Sequence, residues 1–293
     1  MTRHRIYPSK ILLAGEYTVL AGHPGLAIPN IERFANWNNK QMIEDPVLSS
    51  FYKFLLNTPL CNTLIQLDEF KHYISHGGYL ETNIPFGYGL GSSGALCAAV
   101  LDRFSTIDKS NTKNVHQILK EMEHFFHGQS SGLDPMISYY NRCILLDHNE
   151  LYVLNLIQQN ILSEYSLHLI DSKVIRNTQY LVSLFKQNCQ QSEYKLKIET
   201  DLVPANKKLI EAFKENAVHD FQNHWIQISI ESIEIFKLMI PDNILKFWEA
   251  GLQNGAYYCK LCGAGGGGLF LTMVKNEEVF KEALSSHSLN EFI

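Results

Sequence analysis

Residues 85–94 read PFGYGLGSSG, a run of glycine and serine set directly before the apolar stretch ALCAAVLDRF. Glycine weakens regular structure, so a cluster of it marks a place where backbone turns tightly or comes close to something. Where such a loop opens a helix, exposed amide N–H groups and the positive end of the helix dipole attract anions without any lysine. Ser92 and Ser93 add two hydroxyls, either of which can ligate a phosphate-bound Mg²⁺. A second stretch, GAGGGGLFL at 263–271, places more glycines ahead of an apolar strand. Taken singly, either loop can serve a nucleotide phosphate, a substrate or only a turn and helix cap. Together they suggest two backbone surfaces closing on one ligand.

The letters GLGSSG satisfy G-x-G-x-x-G, but a dinucleotide fold wants an acidic strand end about 20 residues later. Here that position falls in the polar stretch DKSNTKN. No Gly-Lys-Ser/Thr occurs, nor a His-Arg-Asp or Asp-Phe-Gly triplet, so the P-loop and protein-kinase signatures are missing. Cys259 and Cys262 form a C-x-x-C, yet strand alternation points them to opposite faces, and no second Cys/His pair stands at ligand spacing. A metal or redox role there is not expected.

These residues need elements to hold them. KILLAGEYTVL reads as a strand leading to a turn at AGHPG, and GGYLETNIP as a strand entering the first glycine loop. ALCAAVLDRF suits a helix packed closely on a sheet. Val115, Ile118, Leu119, Met122, Phe125 and Phe126 recur at helical spacing behind Asn111, a candidate cap. That helix ends at a second Gly/Ser loop, HGQSSGLD, and RCILLDHNELYVLNLI then reads as a hairpin turning near His148 and Asn149. After about residue 161 the pattern restarts: YSLHLIDS as a strand, NTQYLVSLFKQ and DFQNHWIQISIESIEIFKLM as helices, then GAYYCKLCGAGGGGLFLTMV. The expectation is two α+β domains, 1–160 and 161–293.

Composition fits a chain with a full core: 293 residues, 45% of them hydrophobic. Charged residues make up 19% and the net charge is -5, with no basic field for nucleic acid. Six irregularly spaced cysteines read as reduced thiols. Lys10 and Glu16 interrupt the first apolar segment, and no run is long enough to span a membrane. A cytoplasmic protein is expected.

KILLAGEYTVLAG, PFGYGLGSSGA and KLCGAGGGG, in this order, resemble the three motifs of the GHMP kinase family. The middle one, Pro-x-x-x-Gly-Leu-Gly-Ser-Ser-Gly, is the most specific. The resemblance implies an α+β, two-domain GHMP kinase fold: an N-terminal domain like the second domain of ribosomal protein S5, a ferredoxin-like C-terminal domain, and ATP between them. It makes Pro85, Gly87, Gly89, Leu90, Gly91, Ser92, Ser93 and Gly94 the ATP phosphate cradle. EHFFHGQSSGLDP, residues 123–135, looks like the segment of the family's mevalonate kinases that supplies a Mg²⁺ ligand and the catalytic carboxylate. By that match Asp134 is the base or aligner of the attacking hydroxyl, with Lys10 as its cationic partner, and Glu123 joins Ser93 on Mg²⁺. Glu16, Tyr17, Arg176, Thr178, Gly263, Ala264 and Gly265 are implied substrate contacts, although capping the following helix is the favoured role for Thr178.

Within the family the resemblance favours mevalonate as the small-molecule substrate, in isoprenoid precursor synthesis. Galactokinases carry a sugar signature that is missing here, and homoserine kinases generally lack Gly-Glu at the first motif. Three positions depart from the mevalonate-kinase pattern: Tyr17 stands for a histidine, Gly94 for an alanine and Cys262 for a threonine. Tyr17 and Gly94 are the choice of bacterial phosphomevalonate kinases, which makes 5-phosphomevalonate the alternative substrate. A catalytically silent nucleotide-binding member is a second alternative, opposed by the presence of Lys10, Ser93, Glu123 and Asp134 together. The resemblance admits a homodimer, with no nucleic acid or membrane partner.

Overall fold

The first apolar segment is shorter as a strand than its letters suggest. In the computed structural model, which describes residues 5–39, 44–128, 130–148, 150–154, 165–175 and 177–292, strand β1 covers Tyr7–Ala14 and stops at Gly15, whose φ is +106°. A Cβ at residue 15 would lie 2.6 Å from Gly25 Cα, so the return of the chain into β2 (Gly25–Asn38) requires glycine there. The strand expected across KILLAGEYTVL is therefore cut in two, with a short 3-10 turn at Thr18–Ala21 after the break.

Helices α1 (Pro46–Leu56), α2 (Pro59–Leu64) and α3 (Leu67–Ser75) follow. Asp45 caps the first of them by accepting from Val47 N at 2.8 Å and Leu48 N at 3.2 Å, ahead of a proline that fits the first turn. Then come β3 (Tyr79–Thr82), α4 (Ser92–Phe104), α5 (Thr112–His127), α6 (Leu133–Tyr140) and the adjacent strands β4 (Cys143–Asp147) and β5 (Glu150–Leu154). The sheet runs β1-β2-β4-β5, with β3 antiparallel to β2 through the register Trp37 to Leu80.

The apolar stripe of α5 and its cap are present, with Phe125 and Phe126 half-buried; Asn149, expected at the hairpin turn, lies outside the described residues. Val115, Ile118, Leu119 and Met122 are buried along α5, and Asn111 accepts from Asn114 N at 3.1 Å as its cap. On α4 the residues from Ser93 through Leu101 are buried almost without interruption. Their small size lets α6 approach closely: a Cβ on Gly94 would meet Pro135 N at 2.7 Å.

The rest of the chain gives β6 (Ser166–Asp171), α7 (Thr178–Asn188), α8 (Ser192–Lys197), a π turn at Ile198–Leu202, α9 (Val203–Glu215), α10 (Val218–Ile235) and α11 (Asp242–Asn254). Then follow β7 (Tyr257–Leu261), β8 (Leu269–Val274), α12 (Glu277–Ser286) and the short β9 (Asn290–Glu291). An antiparallel sheet of order β7-β8-β6-β9 carries these helices. Its core holds Trp225 and Trp248, whose indole N–H groups donate to Tyr258 O and Ser229 Oγ, so the burial leaves neither unsatisfied.

The chain thus forms two compact α+β units. One takes the chain up to Ile11, Ala27–Leu145 and the residues from Leu151 into β5; the other takes Leu12–Leu26, Leu146–Glu150 and the chain after β5. Among the described residues no helix is long and apolar enough to cross a membrane.

Candidate active site

In the first unit the glycine loop ends against two charged side chains. Gly87, Gly89 and Gly91 all take positive φ, between +74° and +82°, which only glycine adopts cheaply. Gly91 caps α4, and Lys10 N donates to Leu90 O at 2.9 Å, tying β1 to the loop. Lys10 Nζ lies 3.1 Å from Asp134 Oδ1, and both side chains are partly open to solvent. A Cβ on Gly91 would come within 3.1 Å of Asp134 Oδ2 and 3.3 Å of Lys10 Cγ. An ammonium, a carboxylate and the first turn of a 13-residue helix thus converge at the last glycine of the loop. The first-turn N–H groups of such a helix have no acceptor within it and form an anion site with the dipole. Pro85 and Ser92 are half-buried, while Leu90, Ser93 and Gly94 are buried.

Glu123, on α5, is 3% exposed. Burial pushes its carboxyl up to about 8, and the neighbouring Asp134 carboxylate adds to the rise; Ser130 and Lys10 pull the other way. Ser130 Oγ donates to Glu123 and accepts from Gly132 N at 2.9 Å. The charge on Glu123 also acts on the Cys97 thiol, one turn along α4 from Ser93, and this cysteine is held well above the usual range by burial first. A buried carboxylate beside another carboxylate is costly in isolation and favourable next to a divalent cation. Mg²⁺ binds by one or two carboxylates together with substrate phosphates and water, so the oxygen donors Glu123 and Ser93 fit it. Among the described residues no group of three or more His, Cys, Asp or Glu stands close enough to hold a metal by itself.

The second unit gathers the other candidates. Glu16 accepts from Lys260 Nζ, and Lys260, with no exposed surface, donates also to Leu261 O at 2.8 Å. Gly15 N donates to Asn206 Oδ1 at 3.2 Å, and Tyr17 Oη donates to Ala264 O at 2.5 Å. Gly263 and Gly265 to Gly268 all have positive φ. The loop is pinned where Gly266 N donates to Met239 O at 2.6 Å and Gly268 N to Val174 O at 2.9 Å. Glu16 and Tyr17, expected at a substrate surface, are each 5% exposed, with these polar groups bonded inside the protein.

Thr178 does not cap the helix it begins. Asn177, one residue earlier, accepts from Tyr180 N at 3.1 Å, and the Thr178 side chain is exposed. Asparagine reaches the free amides from the cap position, whereas Thr178 already has helical backbone. Arg176 lies outside the described residues. Cys262 is buried, and Cys259 Sγ accepts from Thr272 Oγ1 at 3.3 Å.

Sequence reasoning missed Ser130 and Asn206. Ser130 lies in the quoted segment EHFFHGQSSGLDP, so its position was visible and only its bond to Glu123 was not. Asn206 left no signal, being one asparagine in the helical stretch VPANKKLI far along the chain.

Residues 62–142 match the family model described as the GHMP kinases N terminal domain. The chain is 24% identical to a mevalonate kinase of Arabidopsis thaliana, over 67% of this chain and 55% of that protein, so it spans little more than half of that relative's length. It is also 24% identical to a mevalonate kinase of Thermococcus onnurineus, over 92% of this chain and 89% of the relative. Among solved structures, the Methanococcus jannaschii mevalonate kinase superposes with a TM-score of 0.69 at 18% identity, covering 99% of this chain and 98% of that one. A Streptococcus pneumoniae phosphomevalonate kinase, solved with phosphomevalonate and AMPPNP, gives 0.64 at 14% identity over 98% and 97%. At such identities the structural likeness establishes the shared fold.

Proposed function

The chain belongs to the GHMP kinase family and is most like its mevalonate kinases, and from that premise we propose that it transfers the γ-phosphoryl group of ATP to the 5-hydroxyl of mevalonate. The observation that carries this reading is the convergence of Lys10, Asp134 and the α4 N-terminus at Gly91. Phosphoryl transfer is mostly positioning and charge neutralisation, and this is the equipment it requires.

Asp134 Oδ1 is engaged by Lys10, which leaves Oδ2, beside Gly91, to align the hydroxyl and take its proton. As the hydroxyl oxygen bonds to the γ-phosphorus, the bond from phosphorus to the β-bridging oxygen breaks and ADP departs. Lys10 and the first-turn amides of α4 stabilise charge spread over the phosphoryl oxygens. Pro85, Gly87, Gly89, Leu90, Ser92 and Gly94 shape the loop that cradles the phosphates. Glu123 and Ser93 would hold Mg²⁺, which would supply charge neutralisation to the phosphates. The family resemblance assigns Glu16, Gly263, Ala264, Gly265, Arg176 and Thr178 to substrate binding; Tyr17 leaves that set, because its hydroxyl is bonded to Ala264 O inside the protein.

The test is ATP consumption with Mg²⁺ on parallel additions of mevalonate and 5-phosphomevalonate, with product masses confirmed. Turnover on mevalonate alone supports the assignment. Turnover on 5-phosphomevalonate alone transfers it to the next phosphorylation, and silence on both refutes the pair.

A further inference from the structure

Tyr17 has a backbone φ of +63° and ψ of -37°. For a bulky side chain a positive φ is a true outlier, kept only where surrounding contacts enforce it. Here the enforcement is visible. The ring stacks on Phe185 at 4.6 Å between centroids and packs against Phe236 at 5.1 Å, and the hydroxyl donates to Ala264 O. The two residues before it are anchored as well: Gly15 N to Asn206 on α9, and Glu16 to Lys260 on β7, the strand that runs into the glycine loop. Three consecutive residues thus fasten one turn to three parts of the second unit, and Tyr17 reaches the loop.

We infer that Tyr17 is a positioning residue for the Gly263–Gly268 loop, holding it by the hydrogen bond to Ala264 O, rather than a group that touches substrate. A segment of consecutive positive-φ glycines has many backbone states open to it. The side chain of Ala264 offers little packing, so an anchor on its carbonyl selects the loop conformation. A loop ordered only part of the time binds its ligand more weakly in proportion to that fraction. The inference deepens the proposed reaction and rests on it for the kinetic readout alone.

The experiment uses the full chain with Tyr17→Phe, which keeps the stacked ring and removes the hydroxyl. In substrate-free protein, amide hydrogen exchange at Gly266 and Gly268 should accelerate by about threefold to tenfold, the loss of one net hydrogen bond. Exchange along β6, β7 and β8 should not change. With Mg²⁺-ATP, the KM for mevalonate should rise by a similar factor with kcat near wild type, and 4-aminophenylalanine at position 17, which restores a donor, should reverse both effects. Unchanged loop exchange alongside a raised KM would mean that the hydroxyl serves substrate directly, and would overturn the inference. Acceleration spread evenly over the sheet would mean general loss of stability and would overturn it too. Faster loop exchange in a protein whose wild type turns over neither alcohol would sink the reaction while upholding the anchor.

Discussion

At the scale of single residues, Asp134 and Glu123 are two carboxylates with different surroundings and different expected chemistry. Asp134 pairs with Lys10 and is partly open to solvent, which the proposed contact with substrate requires. Asp134→Asn should lower kcat by about 10²- to 10⁴-fold while nucleotide binding persists, measured by steady-state turnover beside an equilibrium titration with ATP. Near-normal turnover would remove the proposed role. Glu123 is buried and raised from 4.5 to about 8, chiefly by burial. Its carboxyl therefore holds the proton more tightly in the folded chain than in the unfolded one. In metal-free protein this contribution to stability is complete below about pH 4.5 and is lost as pH rises toward 8. Glu123→Gln should flatten the fall in stability over that interval, by at most about 1.4 kcal/mol per pH unit, in urea unfolding with a chelator present. The same variant should need more Mg²⁺ for half-maximal activity. Parallel stability curves for the two proteins would contradict the pH dependence, and an unchanged Mg²⁺ titration would contradict the ligation.

At the scale of elements, the site depends on how closely α4 and α6 approach. A Cβ at position 94 would meet backbone atoms of α6, Pro135 N at 2.7 Å and Asp134 C at 2.8 Å, and backbone cannot step aside as a flexible side chain can. Gly94→Ala should therefore destabilise by about 1–3 kcal/mol and, because Asp134 rides on the helix that is pushed, lower kcat at least about tenfold. Gly87 has a φ of +82° but open space around its missing Cβ, so Gly87→Ala should show backbone strain without displacing the carboxylate. Urea unfolding and kcat measured on both variants test this; a kcat loss equal in the two would mean that helix approach is not what places Asp134.

At the scale of the whole molecule, the most buried ion pair among the described residues is that of Lys260 and Glu16. Taking two charges out of water costs more than most pairs return, so the pair serves to fix one arrangement more than to add stability. Lys260→Met should destabilise by about 3–5 kcal/mol, because Glu16 stays buried without its cation. Adding Glu16→Gln should recover a large part of that loss, and equal unfolding midpoints for the single and double variants would show that the pair is not the cause. Mutating residues 16 and 260 joins positions 244 apart in sequence, which local unfolding alone would not couple.

Much of the fold around the candidate site was legible in the chain because it is local. The glycine loop opening α4, the stripe and Asn111 cap of α5, and the motif spacing from Glu123 to Asp134 all concern residues a few positions apart, where backbone geometry and helical period act directly. The split of KILLAGEYTVL at Gly15 was not legible, since it follows from Gly25 lying 2.6 Å from where a Cβ would be. Nor was the cap at Asn177, which turns on where helical backbone begins, or the burial of Glu16 and Tyr17, whose partners Lys260 and Ala264 lie nearly the full chain away. Sequence by itself determined which groups are available for chemistry and the elements that carry them. Only the tertiary structure decided which of those groups meet, because pairing across long sequence separations is set by how whole elements pack and not by any spacing along the chain.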